Sequence, residues 1–255
     1  MRGLWATLRN AFAEALAKPA ALVSQMAVMA ANDFVWVVFW VLFIDRVGTL
    51  GGWDRDRILL LQAVLTAAGG LSLGVFANAR RVGAMAVDGG LDAVLSLPVP
   101  PLSHLLVRRI EPVNMGDLVF GIVLFAVAGD PTPARTAVFV LSVLASATLL
   151  TGFLVLTGAL AFFIGRSESG ELGFNAMLLM GAYPVDVFAG AVKVLLFSVV
   201  PAAFVATVPA RLVDDFDLGR AGQLVAVAAI FATVAATTFT LGLRRYTSGS
   251  VWTRA

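Results

Sequence analysis

The sequence predicts an all-α polytopic membrane protein with six transmembrane helices. Of its 255 residues, 60% are apolar and only 13% are charged, whereas soluble domains average about 45–50% apolar and about 25% charged residues. The apolar residues also form long continuous blocks with few or no charges. A hydrocarbon core of about 30 Å requires about 20 helical residues, so these blocks have the length of membrane spans.

The N-terminal residues 1–18 predict an amphipathic helix. Apolar side chains recur along them at four-residue spacing, at Leu4, Leu8, Phe12 and Leu16. The charged residues of this segment lie off that face, so the helix is expected to lie in the membrane interface before the chain enters the bilayer at Pro19.

Six apolar segments follow, and each is predicted to cross the bilayer. They cover residues 20–44, 58–78, 112–128, 136–164, 166–183 and 221–243. The sequence Asp130-Pro131-Thr132-Pro133 predicts a tight turn between the third and fourth spans. Residues 184–211 are apolar but are interrupted by prolines, which break helices. We therefore expect a broken re-entrant hairpin between the fifth and sixth spans.

Arginine and lysine residues are distributed unequally between the two sides of this topology. One side carries 11 of them: Arg2, Arg9, Lys18, Arg80, Arg81, Arg108, Arg109, Arg166, Arg244, Arg245 and Arg254. The other carries 6: Arg46, Arg55, Arg57, Arg135, Arg211 and Arg220. Cytoplasmic loops are enriched in these residues. Both termini and residues 80–111 are therefore predicted to be cytoplasmic.

The composition excludes several kinds of site. The chain has no cysteine and a single histidine, His104, so we predict no catalytic, cofactor-binding or metal-binding residues. A phosphate-binding loop needs a lysine after a glycine, but Lys18 follows Ala17 and Lys193 follows Val192. The basic residues are scattered, which argues against nucleic acid as a partner. The chain is therefore not expected to be an enzyme.

The only hydrolase-like sequence is Gly165-Arg-Ser-Glu-Ser-Gly170, which departs from G-x-S-x-G by one residue. A serine nucleophile needs a base, and His104 is the only imidazole available to Ser167. A polar turn between two spans explains this segment better, because short motif matches arise easily by chance.

Polar and small residues inside the spans are candidates for a translocation path or a dimer seam. Charged groups in spans usually face protein or a wet cavity, and Asp33, with Asn32 beside it, lies nearest the middle of a span. Asp117 and Asp186 lie closer to predicted span ends, and Lys193 lies within the membrane region. Gly70 and Gly74 form a small-xxx-small pair that allows close helix approach. The remaining candidates are Tyr183 and Pro184, where the fifth span ends.

Residues 80–98, between the second and third spans, predict a short amphipathic helix at the cytoplasmic face. A cap and a proline stop bound a short apolar run. The candidate residues are Asp88, Gly89, Gly90, Leu91, Asp92, Leu95 and Leu97. A helix too short to span and held at this face is suited to receive force from a soluble motor.

Three features are informative together: the N-terminal interfacial helix, the Asp88–Pro98 stretch and the proline-interrupted segment from Tyr183 to Ala210. In these features the chain resembles the type-2 ABC exporter permeases, in particular a little-characterised bacterial branch of about this length. The resemblance covers essentially the whole chain. It implies that residues 80–98 hold a coupling helix that docks on a separate ATPase, and that residues 184–211 cap the exit of the path.

The resemblance also implies a half-transporter. It would pair with a second permease, identical or homologous, and with two ATPase copies that bind ATP and Mg²⁺, and the two permeases would form the export path between them. The sequence does not identify the cargo. Two alternatives remain: a stand-alone secondary transporter, which typically has paired broken helices, and an intramembrane enzyme, which needs convergent polar residues.

Overall fold

The computed structural model describes residues 2–165 and 169–247, and this part of the chain is helical. Its only extended pairing is an isolated bridge between Leu50 and Trp53. The predicted all-α class is confirmed.

The first half of the chain contains seven helices. They are α1 (Arg2–Leu16), α2 (Pro19–Val47), α3 (Arg55–Gly70), α4 (Val82–Val87), α5 (Asp92–Leu95), α6 (Pro101–Val107) and α7 (Pro112–Ala128). Helix α3 continues into a π-helical turn at Leu71–Val75, which is followed by a 3₁₀ turn at Ala77–Arg81. The predicted second span therefore departs from regular α-helical geometry in the region that contains its glycines.

The second half contains the remaining described helices. They are α8 (Pro133–Ala159), α9 (Ala161–Ile164), α10 (Ser169–Gly181), α11 (Gly190–Ser198), α12 (Val208–Asp214) and α13 (Leu218–Leu243). A π-helical turn at Ala203–Thr207 leads into α12. Helix α10 has 13 residues and is about 20 Å long, which is short for a span.

Local sequence explains where the long helices begin. Proline occupies the first turn of α2, α7 and α8, where its missing N–H costs nothing. The side chains of Asp54, Thr132 and Asp217 accept hydrogen bonds from backbone N–H groups three residues later and so cap α3, α8 and α13,. The predicted turn at residues 130–133 separates α7 from α8.

Four helical stretches are long and apolar enough to cross a bilayer: Pro19–Val47, Arg55–Val75, Pro133–Ile164 and Leu218–Leu243. Two further pairs qualify only as bent units. Pro101–Val107 and Pro112–Ala128 meet at 79°, and Gly190–Ser198 and Ala203–Asp214 meet at 66°. The described chain thus provides four to six crossings and is a multi-pass membrane protein.

Helix α3 lies at the centre of the bundle. Within the most apolar window of its span, 83% of residues are buried, against 22% in α2 and in α13. Helices α2, α7, α8 and α12 all contact α3. The outer helices α2 and α13 therefore leave most of their surface for lipid or for another protein.

Helix α1 and Tyr246, near the two ends of the described chain, lie at one end of the bundle. Thr7 of α1 contacts His104 of α6, with 3.3 Å between Oγ1 and Nδ1, and Tyr246, beyond α13, bonds to Asp92 of α5. At the opposite end, Arg57 pairs with Asp214 at 2.9 Å. We call these the α1 end and the far end.

Candidate functional site

The connecting segment, residues 80–98, lies at the α1 end and is built from short helices. Helix α4 ends at Val87, and the N–H of Asp88 donates to the carbonyl of Ala84 at 2.8 Å. Gly89 then adopts a φ of +77°, a left-handed conformation that favours glycine. This turn redirects the chain into α5, whose single turn is shorter than the helix that the sequence suggested.

The apolar residues of this segment divide between two faces. Leu91 and Val94 are buried, with exposed fractions of 1% and 0%. Val87, Leu95 and Leu97 are 43%, 40% and 43% exposed. Leu91 therefore packs inside the chain, and only the other three present an apolar surface outward.

The connecting segment is braced by the rest of the bundle. Helix α4 packs against α8 and α9. The hydroxyl of Tyr246 donates a hydrogen bond of 2.8 Å to Oδ1 of Asp92, and the Tyr246 ring meets Phe162 edge to face at 6.3 Å. Burial, together with the hydrogen bond to Asp92, raises the pKa of Tyr246 to about 12. The phenol thus stays protonated to a higher pH than an ordinary tyrosine does.

Polar contacts also fix the base of the segment. The Asn78 amide donates to the carbonyl of Leu105 at 2.8 Å, and Arg80 pairs with Glu111 at 3.2 Å. The N–H of Glu111 donates to the carbonyl of Gly74 at 2.9 Å. These contacts connect the beginning of the segment to the ends of α3 and α7.

Asp33 and Asp117 meet between α2 and α7. Both side chains are buried and lie close enough for their charges to interact. Oδ2 of Asp33 and Oδ1 of Asp117 have no hydrogen-bond partner among the described residues. Asn32, the neighbour of Asp33, is exposed. The sequence singled out Asp33 but gave no reason to pair it with Asp117.

Gly70 and Gly74 pack against α7 of the same chain. A Cβ on Gly70 would lie 2.2 Å from the backbone nitrogen of Leu118, and one on Gly74 would lie 2.7 Å from Sδ of Met115. Both glycines are buried. Close helix approach at this pair is thus an intramolecular contact, in contrast to the dimer seam or path suggested by the sequence.

Tyr183 and Pro184 lie where α10 ends. The Tyr183 ring packs edge to face on Trp40 of α2 at 5.5 Å, and Pro184 is buried. The N–H of Val185 donates to Oγ1 of Thr207 at 3.0 Å. These contacts join α10 to α2 and to the π-helical turn before α12.

Asp186 is the centre of a far-end network formed with Trp53, Lys193 and Arg211. The indole N–H of Trp53 and the Lys193 ammonium each donate to Asp186 at 3.0 Å, and Arg211 donates to it as well. Burial raises the pKa of Asp186, but the hydrogen bonds from Trp53 and Lys193 and the charge of Arg211 outweigh burial and hold that pKa below 3.8.

The far-end network ties the α11–α12 region to the α2–α3 loop. The Arg211 guanidinium also lies over the Trp53 ring at 5.4 Å, and Arg135 Nε donates to the carbonyl of Val213 at 3.3 Å. Sequence inspection selected Asp186 and Lys193 but missed Trp53 and Arg211. A tryptophan in a charged loop was the available signal.

Other predicted candidates do not form a reactive centre within the described residues. His104 is buried, and burial followed by the charge of Arg108 lowers its pKa. Ser167 lies outside the described residues. Between residues 2 and 247, apart from 166–168, no three His, Asp or Glu side chains are grouped so that they can hold a metal ion.

A family model described as "ABC-2 family transporter protein" matches residues 29–250, which is most of the 255-residue chain. The chain belongs to the ABC-2 transporter family. The resemblance seen in the sequence is thereby confirmed, and this ABC-2 protein is a membrane permease component of an ABC transporter. No curated protein and no solved structure matches the chain significantly.

Membership in the family indicates the general role of the chain in the transporter. ABC-2 proteins in general work with an ABC ATPase, and this chain is a permease component of such a transporter. The match spans α2 through α13 and so contains both the connecting segment and the far-end network.

Proposed function

We propose that this permease crosses the bacterial cytoplasmic membrane six times, with both termini and the connecting segment in the cytoplasm, and that it serves an ATP-driven exporter. Two observations support this topology. Thr7 and Tyr246 both contact the α1 end, which requires an even number of crossings. The α1 end also carries the larger share of Lys and Arg, as cytoplasmic surfaces do.

In this topology the six spans are α2, α3 with its π-turn, α7, α8 with α9, α10, and α13. Helix α10 starts near the α1 end and carries the chain to Tyr183, beside Trp40. Residues 184–211 then form a re-entrant hairpin at the far end. Its 66° bend and its proline breaks favour a hairpin over a straight crossing.

The absence of native cysteine allows a direct test of topology. Phe216 and Ala93 are exposed at the far end and in the connecting segment. We expect a membrane-impermeant maleimide to label Phe216→Cys in intact cells, and Ala93→Cys only after the cells are permeabilised. The reverse pattern would reject the proposed orientation.

We further propose that Val87, Leu95 and Leu97 dock on the ATPase. The single observation that carries this is their outward exposure on a segment that is otherwise packed and hydrogen-bonded. Exposed apolar groups clustered at a water-facing surface are typical of protein interfaces. Asp88, Gly89 and Gly90 shape the turn that presents them, and buried Leu91 anchors it.

ATP and Mg²⁺ would be bound by two ATPase copies, and their closure would move residues 80–98. That movement would reach the membrane domain through two sets of contacts. Helix α4 contacts α8 and α9, and Asp92 bonds to Tyr246 after α13. The connecting segment thus acts as a lever on two spans.

Co-purification with the ATPase tests the docking surface. We expect Leu95→Asp and Leu97→Asp to abolish recovery of the ATPase with the permease, while membrane insertion is unchanged. Phe216→Asp makes the same chemical change on an exposed side chain at the far end and serves as the control. Leu91→Asp is uninformative, because burying a carboxylate there disrupts folding. Normal recovery with both variants would reject the docking assignment.

The export path is proposed to lie between two permeases, identical or homologous. Asn32 is exposed on α2, whose surface is largely free in the single chain, so we assign it to the seam. If two copies of this chain pair, Asn32→Cys should form disulfide-linked dimers in membranes. Val127→Cys, on an exposed site of α7, is the control, and equal cross-linking of both variants would contradict the seam.

One observation favours the stand-alone secondary transporter instead. Asp33 and Asp117 form a carboxyl pair at membrane depth, and such pairs occur in proton relays. Reconstitution without any ATPase distinguishes the two functions. Active uptake driven by a pH gradient and lost in Asp33→Asn would support the secondary transporter, and ATPase-dependent transport would reject it.

A further inference from the structure

A basic cleft opens at the α1 end, beside the membrane-spanning helices. Its volume is about 780 Å³. It is bounded by α1, the beginning of α2, the turn before α4 and the α6–α7 junction. Four cations line it, namely Lys18, Arg81, Arg108 and Arg109, with one carboxylate, Glu14.

Three of these cations have no carboxylate partner within the described part of the chain. Arg109 pairs with Glu111 at 3.5 Å. Among the described residues, Lys18, Arg81 and Arg108 form no ion pair. Like charges brought together without counter-charges repel one another, so a bound anion stabilises such a cleft. Arginine in particular binds phosphate oxygens through paired N–H groups.

The position of the cleft relative to the bilayer indicates which kind of anion it would bind. Pro19 and Pro112 begin α2 and α7, and Lys18 and Pro112 line the cleft. The cations thus lie where two membrane helices enter the bilayer, which is the level of lipid headgroups. They line the boundary between water and hydrocarbon.

Helix α2, which lines the cleft with Ala21, Leu22 and Gln25, also carries exposed apolar side chains. Val23 and Val28, in its first three turns, are 65% and 68% exposed. Leu16, at the end of α1, is also exposed. A free phosphate compound has no apolar part to cover such a surface, whereas the acyl chains of a phospholipid would cover it.

From these observations we propose that the cleft binds the phosphate-bearing headgroup of an anionic phospholipid, whose chains lie along the exposed face of α2. The lipid holds α1 to the bundle at the membrane surface. It is a structural partner at the periphery, separate from cargo, and its binding does not depend on the proposed export function.

Binding to the purified full-length chain tests the proposal directly. Native mass spectrometry counts the bound lipid after addition of a short-chain phosphatidylglycerol, with the matching phosphatidylcholine and inorganic phosphate as separate arms. We expect the phosphatidylglycerol to bind more tightly than the phosphatidylcholine, and inorganic phosphate not to displace it. Displacement by phosphate at equal concentration would show a free-anion site and overturn the lipid assignment.

Removing positive charges from the cleft tests whether the lipid binds there. Each cation contributes about fivefold to binding an anionic lipid, so Arg81→Gln with Arg108→Gln should weaken phosphatidylglycerol binding about 25-fold. Arg9→Gln, on an exposed face of α1 outside the cleft, is the matched control and should change it little. An equal loss in the control would show unspecific surface attraction and reject the cleft.

A second variant covers the case in which the double variant does not fold. Lys18→Gln changes one exposed side chain and should weaken binding about fivefold without altering the thermal midpoint measured in lipid-free detergent. Unchanged phosphatidylglycerol binding in Lys18→Gln would overturn the proposal.

Discussion

The hydroxyl of Tyr246 donates a hydrogen bond to the carboxylate of Asp92, with 2.8 Å between the oxygens. The two residues are separated by most of the chain, yet this contact joins the end of α13 to α5. Removing the hydroxyl in Tyr246→Phe should cost about 1 kcal/mol of stability and raise the rate of amide hydrogen exchange in Asp92–Leu95. The chain's other tyrosine provides a control, since Tyr183→Phe should leave exchange in α5 unchanged.

The same contact predicts an abnormal tyrosine titration. In a Tyr183→Phe background, Tyr246 is the only tyrosine, and its absorbance should titrate with a pKa of about 12, above the ordinary value of 10.0. Removing the charge in Asp92→Asn should shift the titration toward 10.0. A normal titration before that substitution would contradict the hydrogen bond between Tyr246 and Asp92.

The far-end network should make stability depend on acid. Asp186 has a pKa below 3.8 in the folded chain, so its favourable contribution is fully present above about pH 4 and declines as the pH falls through the folded-state pKa. Asp186→Asn should cost about 1 kcal/mol near pH 6, measured by thermal unfolding in detergent. The difference between the variant and the native chain should shrink as the pH approaches 3. A difference that is constant with pH would show that the charge of Asp186 is unimportant.

Two adjacent glycines should respond differently to a methyl group. In Gly70→Ala the new Cβ would overlap the Leu118 backbone, which cannot move aside easily, so we expect a loss of about 1–3 kcal/mol or failure to fold. Gly69 has no atom within 4 Å of such a Cβ, and Gly69→Ala should be tolerated. Comparison of their thermal midpoints checks this contact between α3 and α7.

The carboxyl pair between α2 and α7 should behave as a unit. Asp33→Asn supplies an amide donor to Asp117 and should preserve folding. Asp33→Leu leaves a buried carboxyl group without its partner and should cost about 1–3 kcal/mol. Adding Asp117→Leu should recover part of that loss, and simple additivity in this cycle would show that the two side chains do not interact.

Hydropathy predicted the membrane class but not the position of each helix in the bundle. Helices α2, α3 and α13 have similarly apolar sequences, yet α3 is surrounded and the other two are mostly uncovered. Lipid chains are as apolar as a protein interior, so composition does not distinguish a central helix from a peripheral one. The glycines of α3 were the informative feature, although they pack on α7 and not on a partner chain.

The sequence also did not specify which way the side chains of short segments point. In residues 91–97, Leu91 faces inward while Leu95 and Leu97 face outward. The one-turn helix α5 is too short for a periodic pattern to identify its buried face. The pairs Asp33–Asp117 and Asp186–Arg211 join residues that are distant in sequence, and no local pattern links them. By contrast, the short connection between α7 and α8 lies where the local proline-containing sequence predicted a break.

The central position of α3 has a consequence for biosynthesis. A chain is made from its N-terminus, so α3 enters the membrane before α7, α8 and α12, which later enclose it, have been translated. Until then Gln62 of α3 and Ser72 of the π-helical turn, both buried in the folded chain, have only lipid and α2 around them. Nascent chains that stop short of residue 214 should therefore be the species that quality-control proteases remove.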